Sequence, residues 1–152
     1  MSLSDTNEVL GCNTLEELQA LEKAYHISTA KKFLNRGVSF ADIEQVKFRG
    51  NISIEKGAFI DENVIFEGTV SIRTDAKIGP GCIISNSEIG KNAELLAYSF
   101  VEESMLESNA KAGPFAHVGV QTRMGEGAEI GNFVETKRSN IGANSKAKHL
   151  AY

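Results

Sequence analysis

Tryptophan does not occur in these 152 residues, and proline and cysteine occur only twice each. Two thiols, Cys12 and Cys82, do not make a disulfide framework; they point to a reducing, cytoplasmic setting. No apolar run approaches the ~20 residues that a membrane-crossing helix needs. The first residues are polar and lack the apolar stretch of a secretory leader. Basic residues are scattered, and the formal net charge is −4. Neither nucleic acid nor a membrane is therefore an expected partner. What the chain does have is glycine, 14 residues of it, which calls for many tight turns or close backbone approaches. The length suits one domain, or a domain with a small appendage.

Residues 1–13 carry no periodic pattern. Thr14 followed by Glu17 forms a capping box, and Leu15, Leu18, Leu21, Tyr25 and Leu34 fall on a helical apolar stripe. With Gly37 as the stop, the spacing predicts a helix over 14–36 whose stripe is packing surface. His26 on this helix reads as a surface residue.

From Phe48 the period changes to six. Apolar residues recur at Phe48, Ile54, Ile60, Phe66, Ile72, Ile78 and Ile84, and after one skipped residue at Ile89, Leu95 and Val101. A second skip leads to Leu106, Ala112, Val118, Met124, Ile130 and Thr136, and a third to Ile141 and Ala147. Four residues after most of these stands a small or branched residue, such as Ala58, Ala76, Ala93, Ala110 or Ala128. Six fits neither the 3.6 of a helix nor the 2 of a free strand. It fits a prism in which each section forms one face and three sections close a coil. Fifteen sections of six and three of five span residues 48–152, as six coils beginning at 48, 66, 84, 101, 118 and 136. The shortened sections begin at Ile84, Val101 and Thr136, all on the first face of their coil, so the register is internally consistent. The expected fold is mainly β: a parallel β-helix of about six coils over 48–152, preceded by an arm and helix over 1–47.

Few residues then remain for chemistry. Cys82 occupies an inward small-residue slot and reads as core filler. His117 is the sixth residue of its section and His149 the third, so they sit at different turn positions and no metal site is expected. His149 is either a solvent-facing turn residue or a general base at a coil edge; a neutral imidazole suits removal of an amine proton near neutral pH.

Several runs resemble one family. These are Glu8-Val9-Leu10-Gly11-Cys12-Asn13, the capped helix, Phe48-Arg49-Gly50, Gly113-Pro114-Phe115-Ala116, Gly131-Asn132-Phe133-Val134-Glu135, and Asn144-Ser145-Lys146-Ala147-Lys148-His149-Leu150. Together they resemble the linker and first part of the acetyltransferase half of the bifunctional N-acetylglucosamine-1-phosphate uridyltransferase/glucosamine-1-phosphate acetyltransferases. The resemblance implies a left-handed β-helix, a cytoplasmic homotrimer, and acetyl transfer from acetyl-coenzyme A to glucosamine 1-phosphate on the way to UDP-N-acetylglucosamine. By position, His149 resembles the base, Lys137 and Tyr152 resemble sugar-phosphate contacts, and Glu135 resembles a residue that orients the site. Asn13 resembles a magnesium-binding residue of the uridyltransferase half, but its partners there are missing, so magnesium is not expected.

Three departures shape the functional expectation. The nucleotide loop of the uridyltransferase half is missing, and the chain stops at Tyr152 where the family continues into coils that carry the coenzyme A contacts. Where the family places an arginine beside the lysine, this chain has Gly119, a residue that fits the repeat and removes a charge. The expectation is an acetyltransferase portion that is inactive alone; the alternative is a stand-alone trimeric scaffold or sugar-phosphate binder without catalysis.

Overall fold

A computed structural model describes residues 14–148. Its first element is α1 (Leu15–Asn35), capped as the sequence predicts: the Thr14 hydroxyl accepts from the Glu17 N–H at 3.1 Å. The helix ends in a Schellman turn around Gly37, whose φ of 96° suits glycine. There the Gly37 N–H donates to the Leu34 carbonyl and the Val38 N–H to the Phe33 carbonyl, so helix-end carbonyls that would lack partners are satisfied.

The strands that follow build a left-handed parallel β-helix of about six coils. Every pairing is parallel and joins residues one coil apart. On the first face Phe48 pairs with Phe66, Phe66 with Ile84, Ile84 with Val101, Val101 with Val118 and Val118 with Thr136. The second and third faces keep the same one-to-one register down to Ile141 and Ala147. The inward residues from Phe48 to Thr136 are buried, as are the small partners Ala58, Ala76, Ala93, Ala110 and Ala128. A bulky residue and a small one in most sections fill the prism, since a closely packed interior needs the two sizes to alternate.

The stack begins before Phe48. Strand β1 (Ser39–Phe40) pairs with β3 (Phe59–Ile60), and β2 (Val46–Ile54) pairs with β4 (Val64–Ile72) from Val46 onward. Helix α1 contacts β1 and β2 at this first coil. It docks through a seam that follows the apolar stripe only in part: Tyr25 packs against the core. Leu15 and Leu34 are 85% and 45% exposed, whereas Ala30 and Phe33 are buried. Phe33 stacks on Phe48, and Phe48 on Phe66, with ring centroids 5.7 Å apart in both pairs. Ala30 and Phe33, in the last two turns of the helix, are its buried residues.

His26 lies on the same seam and is not a plain surface residue. Its Nδ1 accepts the Phe48 N–H at 3.0 Å, so the imidazole satisfies a backbone donor of β2 in the first coil of the solenoid. Burial, followed by the nearby Lys47 and Arg49 charges, holds its pKa below the ordinary 6.5. The folded state therefore binds fewer protons at this site than the unfolded chain. Stability from this site is complete above 6.5 and is lost as pH falls through the folded value. Urea unfolding from about pH 7.5 down to about pH 5.5 should show this decline, and His26→Gln should flatten it. A decline of equal size in the variant would contradict the assignment.

The shortened sections have a chemical reason that the period alone does not reveal. Their fourth residue is serine in all three: Ser87, Ser104 and Ser139. Each hydroxyl lies 2.8–2.9 Å from the carbonyl oxygen two residues earlier, and so repairs the tighter corner. Ser104 is the buried hub: its Oγ also lies 2.7 Å from the Gly119 carbonyl and accepts the Thr122 N–H at 3.2 Å. Ser104→Ala should destabilise the fold by about 1–3 kcal/mol, the cost of leaving a buried polar group unpaired. The more exposed Ser139→Ala should cost under about 0.5 kcal/mol. Equal unfolding midpoints for both variants would contradict the hub.

Cys82 is fully buried, with Sγ 3.2 Å from the Leu96 carbonyl oxygen, and burial pushes its thiol up to about 11. It fills the core, as its slot in the repeat implies.

Candidate functional site

The described residues carry a polar cleft of about 300 Å³ where the first face reaches its last coils, lined by Glu102, His117, Gly119, Val120, Glu135, Thr136, Lys137 and Arg138. Each lining position follows from the register. Val101, Val118 and Thr136 point inward in successive coils, so their neighbours point out. Phe100, His117 and Glu135 form the column on one side of them. Glu102, Gly119 and Lys137 take the matching positions on the other side.

His117 is the centre of the cleft's polar network. Its Nε2 lies 3.0 Å from Glu102 Oε2 and its Nδ1 3.6 Å from Glu135 Oε1, while the ring stacks on Phe100 with centroids 5.0 Å apart. The imidazole thus spans three coils between two carboxylates. At the other end stand Lys137 and Arg138, both exposed, and among the described residues neither has a carboxylate within ion-pair distance. Arg138 holds a left-handed φ of 46° at the corner of the shortened section. The cleft therefore holds two carboxylates already engaged by an imidazole, Glu135 at the same level of the stack as the cations, and a pair of cations that is open.

Two of the four site residues expected from the sequence, Glu135 and Lys137, meet in this cleft. His149 and Tyr152 lie outside the described residues, as does Asn13. The sequence weighs His117 only as a metal ligand and sets it aside, because its turn position differs from that of His149. The signal that marks it is its place in a column: Phe100, His117 and Glu135 are spaced by 17 and 18 residues, one coil each.

Gly119 is more than a missing charge. It is buried, and a Cβ built there would overlap the Thr136 carbonyl oxygen and stand 3.8 Å from His117 Nε2. The backbone as it stands admits only glycine, so an arginine at 119 requires the coil to shift.

Beside the cleft, at the corner before the first face, Tyr98, Phe115 and Phe133 stack in a ladder with centroids 5.7 and 5.6 Å apart. All three are about half exposed and have positive φ. Bulky residues rarely adopt that conformation, and most other corners of the solenoid use Asn, Asp or Gly there, with Glu103, Gln121 and Arg138 as the exceptions.

The chain is similar to several bifunctional enzymes along nearly its whole length. It is 40% identical over 145 residues to "Bifunctional protein GlmU" of Wigglesworthia glossinidia brevipalpis, covering 95% of this chain and 32% of that protein. It is 39% identical over 145 residues to the protein of the same description from Marinobacter nauticus, again covering 95% and 32%. With the Acidithiobacillus ferrooxidans counterpart the identity is 36% over 151 residues, covering 99% and 33%. The chain thus spans about a third of the length of the curated relatives it matches. A family model described as the GMPPB C-terminal domain matches residues 48–149, a stretch that opens on the first inward residue of the solenoid; the chain belongs to that family.

Proposed function

We propose that the first-face cleft binds a sugar phosphate, and that the chain contributes this site to acetyl transfer from acetyl-coenzyme A to glucosamine 1-phosphate, a step in making UDP-N-acetylglucosamine. The observation that carries the reading is the pair of cations, Lys137 and Arg138, at the rim of a 300 Å³ cleft without a carboxylate partner among the described residues. An exposed cation pair of this kind suits a phosphate through charge-assisted hydrogen bonds. Similarity to proteins described as GlmU supports the substrate. Lys137 takes the phosphate, Glu135 orients the sugar, and Tyr152 adds a contact. His149 accepts the amine proton as the nitrogen attacks the thioester carbonyl. The carbon–sulfur bond then breaks, and the thiol leaves with a proton.

The assembly proposed is a homotrimer in the cytoplasm. The exposed ladder of Tyr98, Phe115 and Phe133 and the free, buried Cys82 support that reading; among the described residues no helix is long and apolar enough to cross a membrane. A clean monomer by light scattering at micromolar concentration would count against the trimer. The glycine at 119 favours a second reading, sugar-phosphate binding without turnover.

Calorimetry with glucosamine 1-phosphate tests the site. Lys137→Met should weaken binding by about tenfold or more, the worth of one charge-assisted contact. Lys91→Met, an exposed change remote from the cleft, should leave it unchanged. Equal loss in both variants, or none in either, would overturn the assignment.

A further inference from the structure

At the other end of the stack, helix α1 and strand β2 enclose a pocket of about 240 Å³ beside His26. Glu22 and Lys23 line it from the helix, on the same face as His26, while Lys47 and Arg49 line it from the strand. Lys47 and Arg49 alternate with the buried Val46 and Phe48, so both point outward, about 7 Å apart along β2. Three donors here are open. Lys47 has no carboxylate within ion-pair distance among the described residues. Arg49 has one, Glu67, at 3.7 Å, which is beyond hydrogen-bond reach and leaves the guanidinium fork free to bond a ligand. His26 is kept neutral by burial, then by the charges of Lys47 and Arg49. Because its Nδ1 accepts the Phe48 N–H, Nε2 carries the ring proton, and that N–H has no partner among the described residues. We propose that this pocket is a second ligand site, which takes a phosphate group between Lys47, Arg49 and the His26 Nε2–H.

Three converging donors, two of them charged, match the several acceptor oxygens of a phosphate better than the two of a carboxylate. The volume lies just under the ~300–1,000 Å³ of sites for drug-sized ligands. It suits free phosphate or a small phosphate monoester rather than a nucleotide. Two carboxylates also reach the pocket, Glu22 and Glu44. Glu44 is engaged by Lys23 at 3.6 Å, whereas Glu22 is in no ion pair among the described residues. Glu22 therefore repels the anion, which gives the site a signature: neutralising Glu22 tightens binding. A ligand held here touches helix and solenoid together, so it clamps α1 to the first coil and stabilises the docked helix.

Two histidines report on the two sites separately, since His26 lines this pocket and His117 the first-face cleft. The test titrates inorganic phosphate and glycerol 3-phosphate into the whole chain and follows the imidazole resonances by NMR, with potassium chloride at matched ionic strength as the control. Both phosphates should shift the His26 Nε2 resonance saturably, and chloride should not. Tighter binding of glycerol 3-phosphate identifies a monoester as the ligand, and tighter binding of phosphate the free ion; either supports the site. Lys47→Met should weaken the His26 response by about tenfold or more and leave that of His117 unchanged. Glu22→Gln should tighten it severalfold, an opposite sign that a general loss of structure does not produce. Circular dichroism confirms that both variants are folded. No saturable shift at His26, or one that both substitutions leave unchanged, overturns the site. A response at His117 alone overturns it while leaving the first-face cleft intact.

Discussion

Phe66→Ala is expected to lower the unfolding free energy by about 3–5 kcal/mol, the cost of removing a large ring from a core that cannot close around the gap. Phe66 is fully buried and stacks on Phe48, which in turn stacks on Phe33 of α1. Losing the ring therefore empties the first face and loosens the seat of the helix. The loss should appear as a large drop in the urea midpoint, with helix and solenoid still unfolding together. A change below about 1 kcal/mol would mean that the aromatic stack contributes little beyond its neighbours.

Removing single residues should separate two kinds of corner by an equally large margin. Deleting Val120 turns its section into Val118-Gly119-Gln121-Thr122-Arg123, with a hydroxyl at the fourth position as in the natural short sections. That chain should fold at a cost of less than about 2 kcal/mol, since the corner carbonyl still finds a donor. Deleting Asn92 instead gives Ile89-Gly90-Lys91-Ala93-Glu94, with alanine at the fourth position on a face whose sections are all six residues long. Here an unpaired corner group adds to a register slip that turns inward residues outward, and the cost should exceed about 3 kcal/mol. Circular dichroism and urea titration of the two deletions decide this. Equal stability of the pair would show that the serines are incidental to the short corners.

The solenoid was legible because its code is local and repeated. An inward position recurs every sixth residue, and each residue that the period points inward, from Phe48 to Thr136, is buried in the stated register. The three short sections were visible as skips, but the role of Ser87, Ser104 and Ser139 was not, because a hydroxyl that serves a carbonyl leaves no periodic trace. The helix seam was legible only at Tyr25, for the opposite reason. Leucines suggested a stripe, whereas docking across a coil end needs only a short contact, and Ala30, Phe33 and His26 supply it.

The site was half legible. Lys137 and Glu135 came from resemblance and do share a cleft, whereas Glu102 and His117 belong to it through stacking across coils. Residues 17 or 18 apart become neighbours only once the coil length is applied to polar positions as well as apolar ones. Gly119 was read as a lost charge, and only the Thr136 carbonyl beside it shows why no side chain can stand there.

The central claim is that a sugar phosphate sits in the first-face cleft. A crystal soaked in glucosamine 1-phosphate tests it most directly. The difference map should show the phosphate at Lys137 and Arg138, within the cleft that Glu135 also lines. An empty cleft at saturating ligand, or density bound at another face, would contradict it.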